Sequence, residues 1–267
     1  MRDKLKEAIP PPVWNAMRTT RDGLATAFEW PTATFHPWRA ESIRKLQALR
    51  DTHKGERCVI IGNGPSLKNT DLGKLRDVFT IGMNRFYMAF PELGFTTSLL
   101  LTVNDLVIEQ CADDLRQLPI PVFVSWRGRK YIQPAPNLHC LWTSYVLPRF
   151  SANAAGRLWE GATVTFVAMQ LAYYLGFKQV VLIGVDHNFT TQGKPNTTVV
   201  STGDDPNHFN PGYFGKGFRW QLPDLETSEI GYRLAKDAYA KDGRELLDAT
   251  VDGKLTVFPK VDFNSLF

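Results

Sequence analysis

The chain has 267 residues, 43% of them hydrophobic and 22% charged, the proportions of a folded globular domain. Those values argue against a disordered, collagen-like or coiled-coil chain. A formal charge of +4, from 31 basic and 27 acidic residues, is too mild for a nucleic-acid binder, so no nucleic-acid partner is expected.

The charge excess is local. Residues 1–57 hold 11 Lys/Arg against 7 Asp/Glu, and residues 58–267 hold 20 of each. Residues 1–55 also carry Trp14, Phe28, Trp30, Phe35 and Trp38 and read as a basic, aromatic N-terminal arm. Arg39 to Arg50 has the spacing of a helix, with Ile43, Leu46 and Leu49 along one side. Two readings of the arm stand side by side: packing on the core, or docking of residues 1–50 on an anionic membrane or a partner. No apolar run reaches the ~18 residues of a membrane span. Pro10, Pro11 and Pro12 interrupt any signal-peptide core. Cys58, Cys111 and Cys140 show neither a CxxC pair nor metal-site spacing and read as buried thiols of a reducing compartment. The expected location is cytoplasmic, with a peripheral position at the inner face of the membrane as the sharper form.

From residue 56 to 267 the pattern is strand alternating with helix. Cys58–Ile61, Val78–Met83, Ser98–Val103, Val122–Trp126 and Leu138–Trp142 are strand candidates. Thr163 to Leu175 reads as a buried helix stopped by Gly176, and Val180–Gly184 as the next strand. Residues 187–222, rich in Gly, Pro, Asn and Thr, read as an irregular lid. Asp224 to Lys241 reads as a helix with Ile230, Leu234 and Ala238 in step, and Glu245–Ala249 as the last strand. The apolar tail, from Leu255 to Phe267, is expected to pack on the domain or to form a homo-oligomer contact. Continuous apolar strands imply a sheet covered on both faces, and the alternation implies parallel strands. The fold class expected is α/β, a Rossmann-like, mostly parallel sheet flanked by helices, with the lid as an insertion.

In such a sheet ligands bind at the carboxyl ends of strands. Small polar residues fall there: Gly62, Asn63, Gly64, Pro65 and Ser66, then Asn84, then Asn104 and Asp105, then Asp186. The glycines of Gly62 to Ser66 let backbone N–H groups approach a phosphate, or simply make a tight strand–loop turn. Asp105 and Asp186 suit ribose hydroxyls, a metal or an acceptor, or else helix capping. His208, inside the lid, suits a general acid or base, or loop bracing. His187 beside Asp186 has the same two readings, and Tyr213 and Lys216 could meet phosphate from the lid.

The stretches Gly62-Asn63-Gly64-Pro65-Ser66-Leu67, Gly82-Met83-Asn84 and Leu182-Ile183-Gly184-Val185-Asp186-His187-Asn188 resemble the bacterial MptE-like family, named after 6-hydroxymethylpterin diphosphokinase. The resemblance runs from about Lys54 to Phe267. The same landmarks are similar to the family 42 sialyltransferases, which use a CMP-activated donor on a Rossmann-like fold with a lid. That similarity implies that Gly62 to Ser66 and Asn84 hold the nucleotide, that Thr163 lies at the donor, and that His208 deprotonates the acceptor hydroxyl. The strand-end positions add Asn104 to the expected nucleotide site and Asp105 and Asp186 to the expected donor or substrate pocket. Where those enzymes carry tyrosines after the Gly-x-Asp strand, this chain has His187 and Asn188, so His187, Tyr213 or Lys216 would have to serve the donor phosphate. The implied activity is transfer from a nucleotide-activated donor, a CMP-linked nonulosonate-type sugar, to a glycan or glycolipid acceptor in surface glycan assembly, without metal or a covalent cofactor. The diphosphokinase resemblance implies instead ATP, Mg²⁺ and diphosphoryl transfer. A third reading is a non-catalytic accessory protein of polysaccharide assembly.

Overall fold

A computed structural model describes residues 11–145, 147–191 and 193–267. The first ten residues of the expected arm, and the side chain of Trp14, lie outside the described ones.

Eight strands form one parallel sheet. In chain order the first five are β1 Arg57–Ile61, β2 Thr80–Met83, β3 Leu99–Thr102, β4 Val122–Ser125 and β5 Leu138–Ser144. They are followed by β6 Arg157–Trp159, β7 Gln179–Ile183 and, last in the chain, β10 Glu245–Asp248. The spatial order is β10-β7-β1-β2-β3-β4-β5-β6. The chain therefore runs outward from β1 to β6, then returns to pair β7 on the other side of β1. The strand order reverses at β1/β7. The five strands expected from apolar runs between 58 and 142 all form, as do β7 and β10. The run of β6 is three residues long and partly exposed at the sheet edge, too short and polar to signal itself.

The apolar runs alternate between two covered faces. Cys58, Ile60, Ile81, Leu99 and Leu101 face one cluster, which contains the helix Val164–Leu175. Val59, Ile61, Leu100, Val122 and Val124 face the other. All three cysteines are buried and free. Burial pushes the Cys140 thiol up to about 12, so these groups behave as small core side chains.

Helices α1 Pro11–Phe35 and α2 Pro37–Leu49 make up the arm. On α2, Leu46 is fully buried, Ser42 accepts a hydrogen bond from the Cys140 amide (2.9 Å), and the Arg39 guanidinium donates to Ala155 O and Gly156 O. This half of the arm is part of the core. α1 is held by Ala33, by the Trp126 indole donating to Thr32 Oγ1 (3.4 Å), and by the Trp142 indole donating to Glu29 (3.2 Å).

Short helices α3 Phe90–Leu93, α4 Asp105–Gln110 and α5 Ala112–Gln117 cover one face, and α6 Val164–Leu175 is buried almost all round. α7 Leu225–Lys241 forms where Asp224 caps it, but its buried face is not the one expected. Ile230 is 48% exposed, while Ser228, Gly231, Tyr232, Ala235 and Tyr239 are inside. Small residues let α7 approach Phe166, and the Tyr239 hydroxyl is satisfied by Met169 O (2.7 Å). Counting aliphatic residues alone therefore misplaces this face. The lid is not wholly irregular: β8 Thr198–Val200 and β9 Arg219–Gln221 pair as an antiparallel hairpin inside it. The tail packs on the domain, with Leu255, Val257, Phe258 and Phe263 buried.

Candidate active site

A cleft of about 980 Å³ opens above the carboxyl ends of β2 to β6. Its floor is built by residues at or just after the strand ends: Asn84, Asn104 and Asp105, Arg127, Ser144 and Glu160. The lid roofs it with His208, Phe214, Trp220 and neighbours, and α1 closes one side with Phe28, Glu29 and Thr32. Every sheet strand points the same way, which is why their polar ends gather in one place.

His208 and Asp205 form a tight pair. His208 Nδ1 lies 2.6 Å from Asp205 Oδ2, and both side chains are largely buried. Asp205 is itself fixed, accepting from the Asn207 amide (2.9 Å) and the Phe214 amide (3.2 Å). The imidazole stacks on Tyr213 at 4.0 Å between ring centroids. A carboxylate on Nδ1 favours the tautomer protonated there, which leaves Nε2 as the basic nitrogen on a ring that lines the cleft.

Asn84 sits in the left-handed region (φ +50°) at the end of β2. Its Oδ1 accepts from Thr102 Oγ1 (3.0 Å), orienting the amide. Asn104 caps α4 by accepting from the Leu106 amide (2.9 Å), so its NH₂ is the part left to donate. Thr163 caps α6 in the same way, accepting from the Thr165 amide (3.2 Å). Just before it, Gly161 and Ala162 both have positive φ (+51° and +60°), an uncommon backbone for alanine that turns the positive end of this 12-residue helix toward the cleft.

Asp105 faces Arg127 (3.5 Å), which also forms a paired contact with the buried Glu160 (2.7 and 3.3 Å). Thr143 Oγ1 donates to the same carboxylate at 2.6 Å. Burial alone would lower the Arg127 pKa, but Glu160, with Asp105 and Glu29 behind it, outweighs burial and raises it. The cleft thus carries a guanidinium already neutralised by carboxylates rather than a cluster of unpaired cations. Among the described residues no group of three or more His, Cys, Asp or Glu converges as a metal ion requires.

The remaining expected residues lie outside the cleft lining. The Gly62–Ser66 loop closes onto the end of β7. The Gly62 and Gly64 amides donate to Ile183 O and Gly184 O, and the Ser66 amide and hydroxyl both donate to Asp186 (3.1 and 2.7 Å). The approach is too close for a side chain: a Cβ at Gly62 would fall 2.1 Å from Gly184 O, and one at Gly64 1.8 Å from Asp186 Oδ2. The glycines here admit the neighbouring strand end, and the N–H donors of 62, 64 and 66 are spent on it. Asn63 is buried, donating to Met83 O (3.0 Å), and its Oδ1 has no partner among the described residues. Pro65 opens the short 3₁₀ turn that follows. His187 pairs with Glu229 (3.1 Å) toward α7. Tyr213 is fully buried, with its hydroxyl accepting from the Arg85 amide, so it supports the His208 ring. Lys216 is exposed on the lid.

Asp205, Arg127 and Glu160 are site residues that the sequence does not single out. Arg127 had a usable signal, since it comes two residues after β4. Asp205 stands three residues before His208, a spacing that only the lid's turn makes meaningful.

A family model described as 6-hydroxymethylpterin diphosphokinase MptE-like matches residues 39–192. A MAf glycosyltransferase from Magnetospirillum magneticum AMB-1 has a similar solved structure, with 12% identity and a TM-score of 0.51. The match covers 92% of this chain and 42% of that one, so the chain spans less than half of that enzyme. This likeness shows the fold. A mammalian sialyltransferase in complex with Gal-beta-1-3GalNAc-ortho-nitrophenol matches at 12% identity over 82% of this chain and 80% of its own, with a TM-score of 0.37. A search of curated proteins finds no match.

Proposed function

The chain belongs to the MptE-like family, and from that premise we propose that it is a transferase using a nucleotide-activated donor, specifically a CMP-linked nonulosonate-type sugar, with a glycan or glycolipid as acceptor. The observation that carries this reading is the Asp205–His208 pair on a lid over a strand-end cleft. His208 Nε2 takes the proton of the acceptor hydroxyl. The freed oxygen forms the new bond to the donor's anomeric carbon as the bond from that carbon to the phosphate oxygen breaks, and the nucleotide monophosphate departs with the electron pair. Asp205 holds the ring and stabilises the imidazolium that forms. Asn84 and Asn104 hold the nucleotide. Thr163 and the N-terminus of α6 receive the phosphate. The lid excludes water, which would otherwise compete as acceptor. A surface-glycan acceptor places the protein at the inner face of the membrane.

The family description supports a second reading, ATP-dependent diphosphoryl transfer. The carboxylates do not fit its Mg²⁺ well: Asp105 is engaged by Arg127, and Asp186 by Ser66. A thermal-shift panel of CMP, CDP, UDP, GDP and ATP, with and without Mg²⁺, separates the readings. Stabilisation by CMP or CDP without metal is expected. Metal-dependent stabilisation by ATP alone replaces the proposal with diphosphoryl transfer, and no nucleotide effect replaces it with an accessory role.

A further inference from the structure

Helix α1 presents an apolar stripe to solvent. Leu24, Phe28, Pro31 and Phe35 follow at spacings of four, three and four, which is one face of a helix. Leu24 is 57%, Phe28 83% and Phe35 69% exposed. This is the face opposite Glu29 and Ala33, through which α1 packs on the domain. Three large apolar side chains left outward on a helix otherwise well anchored call for a partner.

Beside the stripe runs a second groove, between α1 and the β5–β6 edge of the sheet. Trp30, Trp142 and Trp159 line it, with Arg157 as the charged residue among those lining it. Arg157 lies over two of these rings, 4.6 Å from Trp159 and 5.4 Å from Trp142. Among the described residues no carboxylate forms an ion pair with Arg157 or with the exposed Arg149. Burial, and then the neighbouring Arg149, lower the Arg157 pKa. A guanidinium that is crowded by a second cation and lacks a counter-charge marks a place for an anion. Tryptophans with one apolar and one polar edge, beside an apolar helix face and unpaired arginines, match the headgroup zone of an anionic bilayer. Phe28 belongs both to the stripe and to the lining of the main cleft, where Tyr145 is also 48% exposed. A surface seated on the stripe would therefore lie at the mouth of the cleft.

We infer that the outward face of α1, together with the Trp30–Trp142–Trp159 groove and its arginines, docks the protein on an anionic phospholipid surface and presents the cleft to membrane-borne acceptors. This deepens the inner-face location in the transfer reading, but its test is blind to nucleotide chemistry.

The test is co-sedimentation of the full chain with vesicles of phosphatidylcholine alone or with about one-third phosphatidylglycerol. Binding to the anionic vesicles is expected, weakened by salt. Leu24→Ser with Phe35→Ser should lower the partition coefficient about tenfold or more. Arg149→Gln with Arg157→Gln should lower it about tenfold on anionic vesicles and leave neutral ones unaffected. The melting temperature of each variant, and its shift with CMP, report separately on folding and on the transfer reading. Absence of binding by the unmodified chain overturns the inference, as does binding by both variants as strong as that of the unmodified chain. Conversion of a stable dimer to a monomer by Leu24→Ser with Phe35→Ser also overturns it, assigning the stripe to a second copy.

Discussion

His208 and His187 each sit against a carboxylate, and they do different things. His208 is held by Asp205 at 2.6 Å on the lid, and its ring lines the cleft. His187 is held by Glu229 at 3.1 Å, with positive φ (+54°), and braces the end of β7 against α7. In sequence both look alike, each near an aspartate. In space Asp186 ignores its neighbour His187 and closes the glycine loop through Ser66. The same division holds for the sheet as a whole. The strand-order reversal at β1/β7 is occupied by the protein's own backbone and serves as scaffold. The ends of β2 to β6 are left open as the cleft in which the proposed transfer would take place.

Perturbing the two regions should therefore give different kinds of loss. On the cleft side, His208→Ala should reduce turnover by about 10²–10⁴-fold with little change in the nucleotide-induced thermal shift. His187→Ala should cost less than about tenfold in steady-state rate and act mainly through stability. Comparable rate losses in the two variants would erase the distinction. On the scaffold side, Gly62→Ala forces a methyl group against Gly184 O and should cost about 3 kcal/mol or more in a denaturant titration. A wild-type midpoint there would mean the β1/β7 junction is looser than its geometry.

Asp205→Asn is a subtler probe of the pair. It should lower kcat by about 10- to 10²-fold and change the acid limb of the pH–rate profile, with KM for the donor little altered. An unchanged profile would reduce Asp205 to a loop brace. The smallest expected effect lies far from both regions. Burial, and then nearby Lys45, lower the His139 pKa from 6.5 to about 4. The folded protein thus takes up this proton less readily than the unfolded chain. Stability is unaffected above about pH 6.5, falls as the pH drops toward 4, and levels off below it. The full shift corresponds to about 3 kcal/mol, which solvent screening of the incompletely buried ring reduces to roughly 2 kcal/mol, and His139→Gln should remove this part of the acid sensitivity in urea titrations across that range.

Much of the fold was legible because a sheet buried on both faces needs continuous apolar runs. Val59 to Ile61, Leu99 to Leu101 and Val180 to Ile183 announce themselves that way. The three-residue β6 has no such run, and α7 hides its core face in Ser228, Gly231 and two tyrosines. The polar strand ends Asn84, Asn104 and Asp105 line one cleft together with Thr163 and the lid histidine. The glycine loop was harder to place. Its pattern satisfies both a phosphate cradle and a tight junction between strands, and only the positions of Ile183 O, Gly184 O and Asp186 distinguish them. Asp205 and the Arg127–Glu160 pair depend on contacts across the chain that no local spacing encodes.

The central claim is that the cleft above β2 to β6 is the nucleotide site. Calorimetric titration of CMP into the full chain, into Asn84→Ala and into Lys216→Ala tests it most directly. Metal-independent binding is expected, weakened about tenfold or more by Asn84→Ala and unchanged by Lys216→Ala. Failure of CMP to bind, or affinity indifferent to Asn84, would contradict it.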